Sequence, residues 1–337
     1  MGFLIRGIVL VLVMGAVFVN GWTDAPNAMA TAVTTGAISF RRAAGLCAVF
    51  NCLGLLVMGL FNSSVTTTIT QLIDFGDTQR EASLIALCAA MISIVLFAVG
   101  AWLFSIPTSE SHALIAGITG AVLALRGTQG INRVAWGKVL TGLIWSLLLG
   151  ALLGWLAFKG LGFLFAGWRK KTVAKAQIAS TMVTAFLHGA QDGQKFLAIL
   201  VVGDALAKHL SPGGPVHPLD HWPLLLLVGL TMALGTLVGG ERIVWAVGEK
   251  MVSLTPVQGI CSDLGAGLGL LAASLLGIPV STTHIKTAAI MGAGRAGGGR
   301  LDKSVAGGML LAWAITFPVC GLLGFWVTRL MLVLLGA

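Results

Sequence analysis

The chain has 337 residues, of which 57% are hydrophobic and only 10% charged, with a formal net charge of +9. A soluble domain carries charge on about a quarter of its residues, so that class is excluded, and a membrane crossing of roughly 20 apolar residues becomes the unit of length, giving about ten spanning or re-entrant segments. The positive charge does not point to nucleic acid: the basic residues are scattered between apolar runs, and the densest group, Arg169, Lys170, Lys171 and Lys175 beside Trp168, predicts an interfacial anchor on the cytoplasmic side.

Apolar segments lie near 4–20, 28–38, 43–61, 83–104, 113–125, 134–166, 177–203, 223–248, 256–277, 285–294 and 304–335. The first is read as a retained helix rather than a cleaved signal, because it runs straight into a polar motif that recurs later. That motif is Asn20-Gly21-Trp22-Thr23-Asp24-Ala25-Pro26-Asn27. A second interruption is Pro107-Thr108-Ser109-Glu110-Ser111-His112. In lipid an unpaired backbone group costs several kcal/mol, so such breaks are buried in protein or line a wet cavity. The five cysteines form no CxxC pair and lie mostly in apolar runs, so neither a disulfide nor a metal site is assigned to them.

Both motifs return. His188-Gly189-Ala190-Gln191-Asp192-Gly193-Gln194-Lys195 aligns with the first at an offset of 168, and Pro279-Val280-Ser281-Thr282-Thr283-His284 aligns with the second at 172. The chain is therefore predicted to be an all-α integral membrane protein of two homologous repeats with broken helices and Ser/Thr-rich re-entrant hairpins. The division is a first transmembrane repeat at 1–166, a basic connecting loop at 167–176 and a second repeat at 177–337. Counting gives about four crossings and one hairpin per half. Inverted repeats need an odd number, so inversion requires one misread segment, placed in 4–38, which would be one kinked helix or a V-shaped pair.

Asp24 and Asn27 lie three apart and share a face if helical. A carboxylate costs at least about 2.5 kcal/mol in a membrane interior. With an amide oxygen and freed carbonyls it makes a hard cage for Na⁺ or H⁺, and its recurrence as Asp192 outweighs a mere capping role. Ser281, Thr282 and Thr283, with Ser109 and Ser111 in the other half, form N-cap patterns. Two helix N-termini with free N–H groups and added hydroxyls would surround a tetrahedral oxyanion, the plainer alternative being two ordinary capped helices. His112 and His284 are read as hydrogen-bonded braces of the hairpins in preference to proton relays, and His188 as a group able to orient Asp192. Lys195 stands where the first half has Asn27 and is placed to replace a cation beside Asp192. Glu110 stands where the second half has Thr282 and is a candidate proton carrier, because burial disfavours an ionised carboxyl. A static ion pair, with Lys286 as a further partner, is the alternative for both.

At these residues the sequence resembles the inorganic phosphate transporter (PiT) family, which carries two Gly-x-Asn-Asp-x-x-Asn motifs and two Pro-x-Ser-Thr-Thr-His motifs. Gly21, Asp24 and Asn27 match the first, with Thr23 departing; Gly189 and Asp192 match its second copy, with Gln191 and Lys195 departing. Pro279, Ser281, Thr282, Thr283 and His284 match the hairpin motif fully, while Glu110 and Ser111 replace two threonines in the other. The resemblance covers nearly the whole chain and is that of a bacterial-type member. It implies inverted repeats, often a homodimer, moving phosphate, in some relatives as a metal-phosphate complex and in some replaced by sulfate.

The expectation is thus a multi-pass cell-membrane symporter, not an enzyme and with no cofactor, that imports phosphate with H⁺ in preference to Na⁺ by alternating access. Ser109, Ser111, Ser281, Thr282, Thr283, Asp24 and Asp192 would bind substrate, and Asp24, Asn27, Asp192, Lys195 and Glu110 would couple the cation, with Na⁺ placed at Asp24 and Asn27 if it is bound at all. Sulfate or another oxyanion on the same scaffold is the alternative. A membrane enzyme acting on lipid phosphate lacks a nucleophile–base pair, and a passive channel has no use for the carboxylates.

Overall fold

The computed structural model describes residues 2–72, 74–76, 78–208 and 216–336. Within them the protein is helical throughout. The first crossing is α1 (Gly2–Thr23) followed by α2 (Pro26–Thr34), a single span of Arg6–Thr34 broken at Asp24 and Ala25. Pro26 has no N–H to give to the preceding turn, so α1 stops and α2 restarts with proline in its first turn. The segments 4–20 and 28–38 are therefore one crossing, which removes the surplus span. The second copy has Gln194 where Pro26 stands, and α8 (Lys170–Ala207) runs unbroken through residues 188–195. Only one of the two motif helices is broken.

The rest of the first half is α3 (Phe40–Phe61), a short α4 (Ser64–Thr70), α5 (Arg80–Leu103), α6 (Glu110–Arg126) and α7 (Arg133–Ala166). The Asp74 N–H donates to the Gly130 carbonyl at 2.9 Å and the Asn132 N–H to the Leu72 carbonyl at 3.3 Å, so the chain entering α5 lies against the chain leaving α6. The α5–α6 pair thus returns to the side it left. Setting that returning pair aside, α1/α2, α3 and α7 each cross once, an odd number, and the second half starts from the opposite face. Two contacts agree: Arg6 of α1 pairs with Asp204 near the end of α8, while the Thr35 hydroxyl after α2 donates to Gln177 near the start of α8 at 2.9 Å. The two motif helices are antiparallel, as inverted repeats require.

The second half continues with α9 (Trp222–Val238), α10 (Glu241–Trp245), α11 (Pro256–Leu275), α12 (Thr282–Ala296) and α13 (Lys303–Leu335). Among the described residues seven spans are long and apolar enough to cross a membrane, and α8 adds a 38-residue helix whose centre is polar. The halves interlock: α6 packs on α13 and α12 on α7, α1 on α9 and α3 on α8. Motif glycines make the last two approaches. A Cβ on Gly21 would lie 2.2 Å from the Met232 carbonyl oxygen, and one on Gly189 would lie 2.0 Å from that of Asn51, so neither position admits a side chain. Large apolar residues are left exposed on α7 and α13, among them Ile144, Leu148, Leu311 and Leu322, a surface suited to lipid.

The basic connecting loop at 167–176 is corrected: only residues 167–169 are non-helical, and Lys170, Lys171 and Lys175 belong to the first turns of α8. Lysine is a good helix former, and no proline or glycine lies between Gly167 and Gly189 to interrupt it.

Candidate functional site

Each hairpin turns through a left-handed residue, Ser105 (φ 57°) or Gly277 (φ 64°), then an Ile-Pro pair, and then starts a helix. Ser109 caps α6 and Ser281 caps α12, each accepting from the N–H of the histidine three residues on at 3.2 Å. The two capping hydroxyls are 2.7 Å apart. Equivalent residues of the two repeats therefore meet at the molecular pseudo-twofold, with both helix N-termini converging there, as the sequence pattern predicts.

Around this point lie two half-sites, each made from the motif of one repeat and the hairpin of the other. In the first, Asp24 accepts from Thr283, by a very short contact, and from the Asn27 amide at 2.8 Å; that amide also reaches Thr283 at 3.3 Å, and Thr283 reaches the Thr108 carbonyl at 3.2 Å. In the second, the Lys195 ammonium donates to Asp192 at 2.7 Å, to Ser111 at 2.6 Å and to the Val280 carbonyl at 2.6 Å. Lys195, Ser111 and Val280 are the counterparts of Asn27, Thr283 and Thr108. The ammonium thus uses all three of its protons in the half-site where the first repeat carries a neutral amide.

The second Asp192 oxygen accepts from Asn20 at 3.1 Å and Thr282 at 3.2 Å and lies 3.5 Å from His188 Nε2, whose Nδ1 meets Asn51 at 3.0 Å. Glu110 accepts from Thr23, the residue before Asp24, which brings a third carboxyl to the cluster. Asp24, Asp192 and Lys195 are each 1% exposed, Glu110 2%, and both capping serines 0%, so the site is closed to both membrane faces. Three carboxyls share this closed space with one ammonium. If all ionise, two negative charges stand in excess, which an apolar interior tolerates only with bound cations or protons. Four buried oxygens of that cluster have no donor, Asp24 Oδ2, Asn27 Oδ1, Asn20 Oδ1 and Glu110 Oε2, and they form an acceptor set suited to a cation. Asp24, His188 and Asp192 also bring one donor atom each within 4.8 Å of one another, a grouping that fits a metal ion.

All ten residues expected at the site are thus brought together. His112 and His284 brace the hairpins differently from expectation. Their ring nitrogens have no hydrogen-bond partner; the rings pack edge-on at 4.2 Å, with Trp313 4.0 Å from His284 and its indole N–H on the Pro107 carbonyl at 3.0 Å. Lys286 is not a partner of Glu110 or Asp192: it pairs with Asp263 one turn away. Gln191 turns outward to Ser274 at 3.0 Å. Sequence reasoning missed Asn20, although the offset of 168 pairs it with His188, and it missed Asp263, the single acid in an otherwise apolar run.

The comparisons with known proteins agree with this architecture. A model of the phosphate transporter family matches residues 20–170 and again 166–324. A probable low-affinity inorganic phosphate transporter of Rhizobium meliloti is 34% identical over 91% of this chain and 90% of its own, and one of Bacillus subtilis is 31% identical over 91% of each. A solved structure described as the sodium-dependent phosphate transporter superposes with a TM-score of 0.87 at 22% identity, covering 98% of this chain and 99% of that one, a match of fold. With the family model matched in both halves and relatives aligned almost end to end, the chain belongs to the phosphate transporter family.

Proposed function

We propose that the protein imports inorganic phosphate across the cell membrane together with a cation, H⁺ in preference to Na⁺, by alternating access around the closed site. The observation that carries this is the charge balance. Three carboxyls outnumber one ammonium, so the site is in negative excess when they ionise, and an oxyanion entering between the hairpin tips adds more. The anion therefore binds in lipid only with cations or protons beside it, which is what couples the two fluxes.

Ser109, Ser111, Ser281, Thr282 and Thr283 receive the oxyanion through hydroxyls and helix N–H groups. Asp24 and Asp192 accept hydrogen bonds from protonated phosphate, or hold the coupling cation. The first role favours phosphate over sulfate, which near neutral pH has no proton to give and would leave the carboxylates unpaired. Lys195 fills the second half-site, so a sodium ion there would meet an ammonium, whereas Glu110 carries a proton; both favour H⁺. The basic end, with Arg41, Arg42 and Arg169–Lys171, faces the cytoplasm.

The test is radiolabelled phosphate uptake by purified protein in proteoliposomes, with excess unlabelled sulfate in a parallel sample. Uptake that sulfate leaves unchanged supports the assignment; sulfate accumulation in place of phosphate overturns the substrate and keeps the fold. The grouping of Asp24, His188 and Asp192 favours a second reading, a divalent metal travelling with the anion, and uptake that requires Mg²⁺ or Mn²⁺ would establish it.

A further inference from the structure

A second charged cluster lies one helical turn from the site. Asp263 of α11 and Lys286 of α12 form an ion pair with both side chains at most 2% exposed. The Asp263 carboxylate also accepts from Thr31 at 2.9 Å, Ser180 at 2.6 Å and Thr181 at 3.2 Å, and Lys286 reaches Thr31 at 3.4 Å. These groups continue faces that begin at the site. Thr31 follows Asn27 by four residues on α2, and Lys286 follows Thr283 by three on α12. Beyond them the Gln177 amide donates to the Thr31 carbonyl at 3.0 Å and accepts from Thr35 at 2.9 Å. Thr35 in turn lines a cavity of about 550 Å³ at the basic end, beside Trp168 and Lys170. A file of polar groups thus runs from one helical turn beyond the closed site to that face.

Among the described residues the equivalent position in the other half is apolar. At the offsets of 168 and 172, Thr31, Thr181, Asp263 and Lys286 correspond to Ile199, Val13, Met91 and Leu114, and all four of these belong to one apolar core. The fold therefore closes this position perfectly well without charge. A buried ion pair is often no more stabilising than well-packed apolar residues, and an ionisable residue inside a membrane is a functional candidate by default. Stability alone does not account for Asp263 and Lys286.

We infer that Lys286, with the hydroxyls of Thr31, Ser180 and Thr181, is a second and transient subsite for the transported oxyanion on its way to the basic end, and that Asp263 is the internal counter-ion that occupies it while the site is closed. The anion displaces the carboxylate as the file opens, and the carboxylate returns once the anion has left. Lys286 then has the same partners before and after each passage. The inference rests on the phosphate-carrying reading of the central site.

The test combines equilibrium binding of radiolabelled inorganic phosphate to the purified full chain with uptake into proteoliposomes. Wild type is expected to bind about one phosphate per chain. Asp263→Asn, close in shape, removes the competing carboxylate and raises the count to about two. Asp263→Asn/Lys286→Met removes charge from the cluster, returns the count to one and still takes up phosphate at least tenfold more slowly than wild type. A count of one for Asp263→Asn together with wild-type uptake by the double variant overturns the inference. Should the double variant fail to fold, the binding count of Asp263→Asn decides alone. Absence of any phosphate bound to wild type is a different failure, that of the central site itself.

Discussion

Replacing Lys195 by asparagine recreates in the second half-site the residue that Asn27 supplies in the first. The change removes an ammonium that makes three hydrogen bonds, to Asp192, Ser111 and the Val280 carbonyl, and leaves three carboxyls with no positive partner. Breaking one side of a buried ion pair costs about 3–5 kcal/mol, so Lys195→Asn is expected to melt well below wild type in choline chloride. The amide still reaches Asp192 across three residues, as that of Asn27 reaches Asp24 at 2.8 Å. It does not restore the charge; a sodium ion does. An ion present at a hundred times its dissociation constant returns about 2.7 kcal/mol, most of what was lost. The assay is thermal unfolding of the purified protein in NaCl against choline chloride, with phosphate uptake under the same two salts. Melting temperature and uptake are both expected to become sodium-dependent in the variant and to remain indifferent in wild type. A Lys195→Asn protein as stable as wild type in choline, or equally damaged in both salts, would refute the claim that the ammonium replaces a cation.

Three further outcomes follow from the same geometry. Glu110→Gln keeps the contact with Thr23 and removes the proton carrier; since 1.4 kcal/mol is a factor of ten, each coupled proton is worth about a hundredfold in accumulation across two pH units, and the variant should lose that concentrating power while still exchanging internal for external phosphate. Loss of exchange together with accumulation would make Glu110 structural. Asp24→Asn should abolish gradient-driven uptake in a protein that elutes and melts as folded, and unchanged uptake would remove Asp24 from the mechanism. Gly189→Leu should destabilise the fold through the α3–α8 contact, where even a Cβ sits 2.0 Å from the Asn51 carbonyl, whereas Gly160→Leu, in open space, should not; equal melting temperatures for the two would show that close helix approach is not what the motif glycine provides.

The residues that meet at the site were legible because each is a polar residue in an apolar run and each has a counterpart at a fixed offset. Ser109 and Ser281 are the clearest instance: the pattern predicted two caps, and the caps touch. The crossing of the half-sites was not legible, since nothing in a linear repeat says that the motif of one half will face the hairpin of the other. The continuity of α8 turned on one position, Gln194 in place of Pro26, and a repeat weighed by its matches hides such a difference. The bracing of His112 and His284 by ring packing depended on Trp313, which lies outside both motifs. Asp263 and Lys286 escaped pairing because they are 23 residues apart and their counterparts in the first half, Met91 and Leu114, are apolar.

Coupling is the claim on which the rest depends, and a gradient measurement addresses it directly. Purified protein in proteoliposomes is given radiolabelled phosphate under an inward proton gradient without sodium, or an inward sodium gradient at equal pH. Proton-coupled symport gives accumulation above equilibrium with the proton gradient and simple equilibration with sodium. Accumulation driven by sodium alone would return the cation role to Asp24 and Asn27, and equilibration under both gradients would contradict symport altogether.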